Sequence, residues 1–195
     1  LIVSDIHGSL SGAAAILNAM EVHHPDYILC LGDILYHGPR NDLPEDYAPK
    51  KVIEIMNSIS HKIIAVKGNC DGEVDQMVLQ FPVLSTTNFI PYHHHFIAMS
   101  HGHTYSPDNL PYLQKGDIFL SGHTHIPACI KKDGIYLLNS GSVSLPKQNH
   151  PKTYAVLKDN TFTVYTTNHK PYMSIAKTYD ECRPIESHRM LHCGK

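Results

Sequence analysis

The chain has 195 residues, 42% hydrophobic and 17% charged, with a formal net charge of −2. These values fit a globular chain long enough to bury a real core. They exclude a global electrostatic pull toward nucleic acid or an anionic membrane, and no apolar stretch is long enough to span a bilayer.

The chain opens at Leu1 on apolar residues that read as the middle of a strand, so the expectation is that residues precede it. Leu1 to Ser4 is a short β-type run ending in DIHGS. Leu10, Ala13, Ala14, Leu17 and Met20 then recur at helical spacing over residues 10–22. Tyr27 to Leu31 reads as a second buried strand, ending in GD. Lys50 to Ile59 has helical spacing, with Pro49 suited to a first turn. Ile63 to Val66 is a third buried strand, ending in KGNCD. Short strands alternating with helices predict parallel pairing, which gathers ligands at the carboxyl ends of the strands.

The second half is richer in strands. Phe96 to Ser100 ends in HGH and Ile118 to Leu120 ends in SGHTH, followed by strands at Tyr136–Asn139, Thr153–Lys158 and Thr161–Thr166. Asp159-Asn160 is a two-residue hairpin turn between the last two. His93, His94 and His95 read as a polar hairpin tip. One domain is expected over residues 1–178. The tail 179–195 reads as a terminal helix or a disordered end, and His188, His192 and Cys193 in it as a coincidence of spacing.

The polar residues at the strand ends carry the chemistry. Asp5 and His7 are two apart, as are His123 and His125, so each pair can face one way. With Asp33, Asn69 and His101 they offer carboxylate, amide oxygen and imidazole. That mixture suits Mn²⁺, Fe, Co²⁺ or Zn²⁺ better than Ca²⁺. The sixteen histidines, with no tryptophan, fit the same idea. Five irregularly spaced cysteines argue against a disulfide framework and for a reducing, cytoplasmic setting.

The series SDIHG, LGD, KGNCD, SHGH and SGHTH resembles the calcineurin-like metallophosphoesterase superfamily. LGDILYHGPRNDLPEDYAP, GNCDGEVDQM and NSGSVSLPK look like its small bacterial YfcE-like phosphodiesterase branch. The resemblance runs from Leu1 to about Thr167. It implies an α/β fold, a four-layer α/β/β/α sandwich of two mixed sheets flanked by helices. It also implies two divalent metal ions, expected to be Mn²⁺, with Asp5, His7 and His125 on one, Asn69, His101 and His123 on the other, and Asp33 between them. The implied reaction is hydrolysis of a small phosphodiester by a hydroxide shared between ions roughly 3.5–4 Å apart, with Asn69 helping to neutralise the phosphoryl oxygens.

Most relatives carry His after the Asn, where this chain has Cys70. Two dications beside it favour the thiolate, which cannot donate a proton. Cys70 is thus either a small buried cysteine or a group with a direct role. His37 is a substitute proton donor or a loop histidine, and Arg40 a phosphate contact or an ion-pair partner. His103 is a weaker candidate. Asp71, Glu73 and Asp75 either orient ligands or start a helix. Asn139 to Ser144 resembles a family loop near the metals. The alternative function is a metal-binding interaction scaffold of the same fold with little catalysis. A membrane partner is not expected and a nucleic-acid partner is disfavoured, while a homo-oligomer stays open.

Overall fold

The structure, a computed structural model, describes residues 1–178. The tail from Tyr179, with His188, His192 and Cys193, lies outside the described residues. In chain order the elements are β1 (Ile2–Val3), α1 (Leu10–His23), β2 (Ile28–Cys30), α2 (Pro49–Ser58), β3 (Ile63–Ala65), α3 (Glu73–Gln76), β4 (Asn88–Tyr92) and β5 (His95–Met99). There follow β6 (Ile118–Ser121), β7 (Ala128–Lys132), β8 (Ile135–Asn139), β9 (Thr153–Lys158), β10 (Thr161–Thr166) and β11 (Pro171–Ala176).

Two mixed sheets result. The first has the order β11-β10-β9-β1-β2-β3 and the second β4-β5-β6-β8-β7. β1, β2 and β3 run parallel, as do β5, β6 and β8, and the antiparallel strands add at the flanks. Successive residues of β1 and β2 face opposite ways. Ile2, Leu29 and Leu31 pack against Ile97, Met99, Ile118, Leu120 and Leu138 of the second sheet. Val3, Ile28 and Cys30 pack on the other face against Ala13, Ile16, Ala19, Val52 and Met56 of α1 and α2. Fully burying each such Ile or Leu contributes about 1.5–3 kcal/mol, so this double-sided core fixes the register of the first sheet.

Ser9 caps α1 by accepting from the Gly12 amide at 3.1 Å, and left-handed His24 closes the helix. Its buried face is Gly12, Ala13, Ala15, Ile16 and Ala19, rotated from the expected stripe; Leu10 is exposed. Small side chains there let the helix lie close to the sheet. Pro49 opens α2 as expected. On the outer face of the second sheet, Ala98, Phe119 and Leu137 are covered by Tyr105, Leu110 and Leu113 of a loop, where a helix layer was expected.

Asp159 and Asn160 both have positive φ and join β9 to β10, as a hairpin of this type requires. His93 and His94 form a hairpin tip, with Tyr92 opposite His95. No described helix is long and apolar enough to cross a membrane.

Candidate metal centre

The loops after the parallel strands meet at one end of the sandwich. Asp5 and His7 follow β1, Asp33 follows β2 and Asn69 follows β3; His101 follows β5, and His123 and His125 follow β6. The loops are laced together: the Ile6 and His7 amides both donate to Asp33 O at 2.9 Å, and the Gly122 amide donates to His101 O at 2.7 Å. Asp5, His7, Asp33, His123 and His125 all have left-handed backbones, with φ of 56°, 50°, 55°, 65° and 59°. Non-glycine residues held there carry strain, which concentrates at functional sites.

Three imidazoles are oriented by main-chain carbonyls. His7 Nδ1 lies 2.8 Å from Tyr36 O, His101 Nδ1 2.7 Å from Leu31 O, and His125 Nδ1 2.5 Å from Leu145 O. A carbonyl only accepts, so each Nδ1 carries the proton and each Nε2, when neutral, presents a lone pair. Those lone pairs converge. His7 Nε2 is 3.2 Å from His125 Nε2, and His125 Nε2 is 3.2 Å from Asp5 Oδ1. His101 Nε2 is 3.3 Å from Asp33 Oδ2 and 3.1 Å from Asn69 Oδ1. Asp33 Oδ2 is also 3.7 Å from His7 Nε2, which puts it between the two groups. Asp5 Oδ1 is buried and has no hydrogen-bond partner among the described residues. Acceptors facing acceptors in a buried volume call for a cation, so the donor set fits divalent metal ions.

The supports are equally specific. Asp5 Oδ2 accepts from Ser4 Oγ at 2.6 Å and from the His123 amide at 3.0 Å. Ser142 and Ser144 hydroxyls both donate to Asp5 O at 2.8 Å, and the Asn139 amide group donates to Gly122 O at 2.8 Å. Asp71 accepts from the amides of Asp33, Ile34 and Gly68 at 2.8, 2.9 and 2.7 Å, tying the β2 loop to the β3 loop. Asp75 caps α3 through the Gly72 amide at 2.6 Å. A Cβ at Gly68 would collide with Asp33, and one at Gly122 with Ser4 and Asp5.

Charge follows from this packing. Burial works to raise the Asp5 carboxyl, but His125, His7 and His101 overcome it and hold it well below the carboxylate range. Asp33 is likewise lowered against burial, chiefly by His101. Burial works to lower His7 and His101, yet the Asp5 and Asp33 carboxylates raise both, His101 to about 9. Without metal, protons thus take the place that cations would fill. Burial lowers His123 and His103. Burial, then the Asp33 carboxylate, pushes the Cys70 thiol up to about 12. In the metal-free chain the thiol is therefore neutral.

Beside the centre opens a cavity of about 340 Å³, lined by Arg40, Asn69, Cys70, His123 and Lys147 among others. The candidate ligands therefore do not all meet with equal closeness. Asp5, His7 and His125 form one tight group, Asp5, Asp33 and His101 another, and His7, Asp33 and Cys70 a third; His123 is in none of them, although its ring lies 5.1 Å from that of His101, the same separation as His7 and His125. His103 lies behind, 5.4 Å from the His101 ring. His37 is packed edge-on against Tyr36 and Tyr47, and the cavity wall on its loop begins at Gly38. Ser4 and Lys147 lie within the SDIHG and NSGSVSLPK runs, yet neither was singled out as a site residue, and the carbonyls of Tyr36, Leu31 and Leu145 had no signal in the sequence. Carbonyl direction and loop path are products of the fold.

A sequence model of the calcineurin-like phosphoesterase superfamily domain matches residues 1–161. The chain belongs to the calcineurin-like phosphoesterase superfamily. Within that superfamily it is 42% identical over 168 residues to phosphodiesterase YfcE of Escherichia coli K12, covering 86% of this chain and 91% of that protein. The solved structure of E. coli YfcE, a phosphoesterase, has a TM-score of 0.89 and 40% identity, covering 91% of this chain and 98% of that one. Vps29 of Cryptosporidium parvum has a TM-score of 0.58 at 18% identity, covering 91% of this chain and 97% of that one, a likeness of fold alone. This calcineurin-like chain is accordingly an enzyme of the phosphoesterase class.

Proposed function

We propose that this phosphoesterase is a phosphodiesterase that depends on two divalent ions, with Mn²⁺ the expected pair, and that residues 1–178 form its single catalytic domain. The reading assigns Asp5, His7 and His125 to one ion, Asn69, His101 and His123 to the other, and Asp33 to both. The observation that carries it is the convergence of the His7 and His125 Nε2 atoms, their Nδ1 protons already given to main-chain carbonyls, on Asp5 Oδ1, a buried acceptor with no hydrogen-bond partner among the described residues. A metal-binding scaffold would use the same lone pairs, and the 42% identity to phosphodiesterase YfcE is what favours the enzyme. The irregular cysteines, with Cys30, Cys70 and Cys129 free, favour a cytoplasmic setting.

When bound, the ions supply a water acidified toward neutral pH and Lewis-acid neutralisation of the phosphoryl oxygens. The protein's own groups do the rest. Asp5 and Asp33 hold negative charge at neutral pH, and the carbonyls behind His7, His101 and His125 fix the ring orientation. Arg40 reaches the cavity and can grip phosphoryl oxygens with its planar fork. The Asn69 amide N–H, 3.1 Å from Cys70 Sγ, can turn to the same oxygens. Cys70 lines the cavity where a leaving oxygen would emerge, ahead of His37. Beside two bound dications its thiol would shift toward the thiolate, so Cys70 would be a weak proton donor and esters of acidic alcohols should react best.

The test is a panel of bis-aryl phosphodiesters and aryl monoesters on chelator-stripped protein, with Mn²⁺, Zn²⁺, Fe²⁺ or Co²⁺ restored singly. Stripped protein should be inactive, and Mn²⁺ should restore diester hydrolysis above monoester hydrolysis. Turnover that survives chelation would overturn the reading.

A further inference from the structure

Two cationic side chains line the cavity beside the metal centre, Arg40 from the loop after β2 and Lys147 from the loop after β8. Neither forms an ion pair with a carboxylate among the described residues. Both side chains are exposed, at the open rim of the cavity. Tyr36, four residues before Arg40, supplies the carbonyl that orients His7. Leu145, two residues before Lys147, supplies the one that orients His125, and the Lys147 amide donates back to His125 O at 3.4 Å. Each cation is therefore anchored by the same backbone that aims a proposed metal ligand.

The two cations reach the cavity from different sides. The Arg40 loop abuts Cys70, since a Cβ on Gly38 would lie 2.8 Å from Cys70 Sγ, while Lys147 belongs with Thr124 and His125. Apart from Pro39, no aliphatic, Phe or Tyr side chain among the described residues lines the space. An apolar alcohol group would gain little there. A phosphodiester carries one negative charge, which the centre and Arg40 already meet, and Lys147 is left over.

We propose that Lys147 is a specificity-determining residue that selects phosphodiesters bearing a second anionic group, a carboxylate or a further phosphate, on one of their alcohols. This rests on the phosphodiesterase reading and adds a substrate class to it. The charge lies at a cavity rim, so its effect is on substrate capture and weakens as salt rises.

The experiment compares two mixed phosphodiesters on Mn²⁺-loaded enzyme. Both release p-nitrophenol; the other alcohol is glycolate in one and ethylene glycol in the other. The quantity read is the ratio of kcat/KM, anionic over neutral. The ratio should be about fivefold for the wild type, the size of one partly screened charge pair, and carried by KM. Lys147→Gln should bring it to unity, Lys147→Glu should invert it and Lys147→Arg should keep it. A ratio of one in the wild type, or one unchanged in Lys147→Gln, overturns the inference while hydrolysis of both esters leaves the phosphodiesterase reading standing. Hydrolysis of neither ester with any divalent ion overturns that reading and this one with it.

Discussion

His101 shows how a single side chain joins the two sheets. It sits at the end of β5, yet its Nδ1 proton goes to Leu31 O of the first sheet and its Nε2 faces Asp33 and Asn69. Against burial, the Asp33 and Asp5 carboxylates raise its pKa from the ordinary 6.5 to about 9. A group raised on folding adds stability below its unfolded pKa and loses it as pH climbs through the folded one. Metal-free protein should therefore lose stability between about pH 6.5 and pH 9, read by thermal melts across that range. Ions bind only the unprotonated ring, so loading at pH 7 should expel at least one proton per chain, measured with an indicator dye. Loading without proton release would contradict this account of the centre. Cys70 gives a second prediction. Cys70→His restores an imidazole of pKa about 6.5 beside the leaving group and should speed hydrolysis of alkyl esters by about tenfold or more, aryl esters far less. No gain on the alkyl esters would remove weak acid catalysis from the mechanism. The candidate ligands were legible in the sequence because each is a polar residue placed just after a buried apolar run. The roles of His37 and Arg40 were not, because whether a loop side chain turns inward depends on neighbours such as Tyr36 and Tyr47.

Strands and loops were legible to different degrees. β1, β2, β5 and β6 announced themselves as apolar runs, since they are buried in the middle of two sheets, and so did β3, an edge strand whose Ile63 and Ala65 are buried. β4, β7 and β11 did not. They lie at sheet edges, their side chains are mostly half-buried or exposed, and β4 and β11 each contain proline. The four-residue α3 is too short to show a period. The helix expected on the outer face of the second sheet is replaced by a loop, because only Ala98, Phe119 and Leu137 need cover there. Asp71 was readable as either a ligand-orienting residue or part of a helix start; the structure shows it clamping two loops. Asp71→Ala would strand the amides of Asp33, Ile34 and Gly68. The expected cost is roughly 3 kcal/mol or more, at about 1 kcal/mol or more per buried donor left unpaired. Urea melts should show it, together with a fall in bound metal. Asp71→Asn keeps one acceptor oxygen and should cost less. Unaltered stability in the alanine variant would mean that the clamp is not rigid.

At the scale of the molecule, the candidate centre is a bridge between two sheets that also meet through apolar packing and a few hydrogen bonds, such as Asn88 Nδ2 to Ala65 O and Tyr92 Oη to Asn160 Oδ1. Asp5, His7, Asp33 and Asn69 come from the first sheet, and His101, His123 and His125 from the second. The carboxylates and imidazoles at this junction lie where an all-apolar core would continue, so the sandwich is held at one end by charge and elsewhere by the burial of Ile2, Leu29, Met99 and Leu120. Ions that bind the folded chain alone stabilise it by about 4 kcal/mol when their free concentration is a thousandfold above Kd. For a chain of this size that is on the order of 10 °C in Tm. Chelation should lower Tm by that amount and speed amide exchange at the carboxyl ends of β2 and β6 together, because the lost bridge joins both. His125→Ala should reproduce part of the Tm loss and respond less to the chelator. A chelator that leaves Tm and exchange unchanged would mean that no ion links the sheets, and the strained backbones of Asp5, His7, Asp33, His123 and His125 would then need another cause.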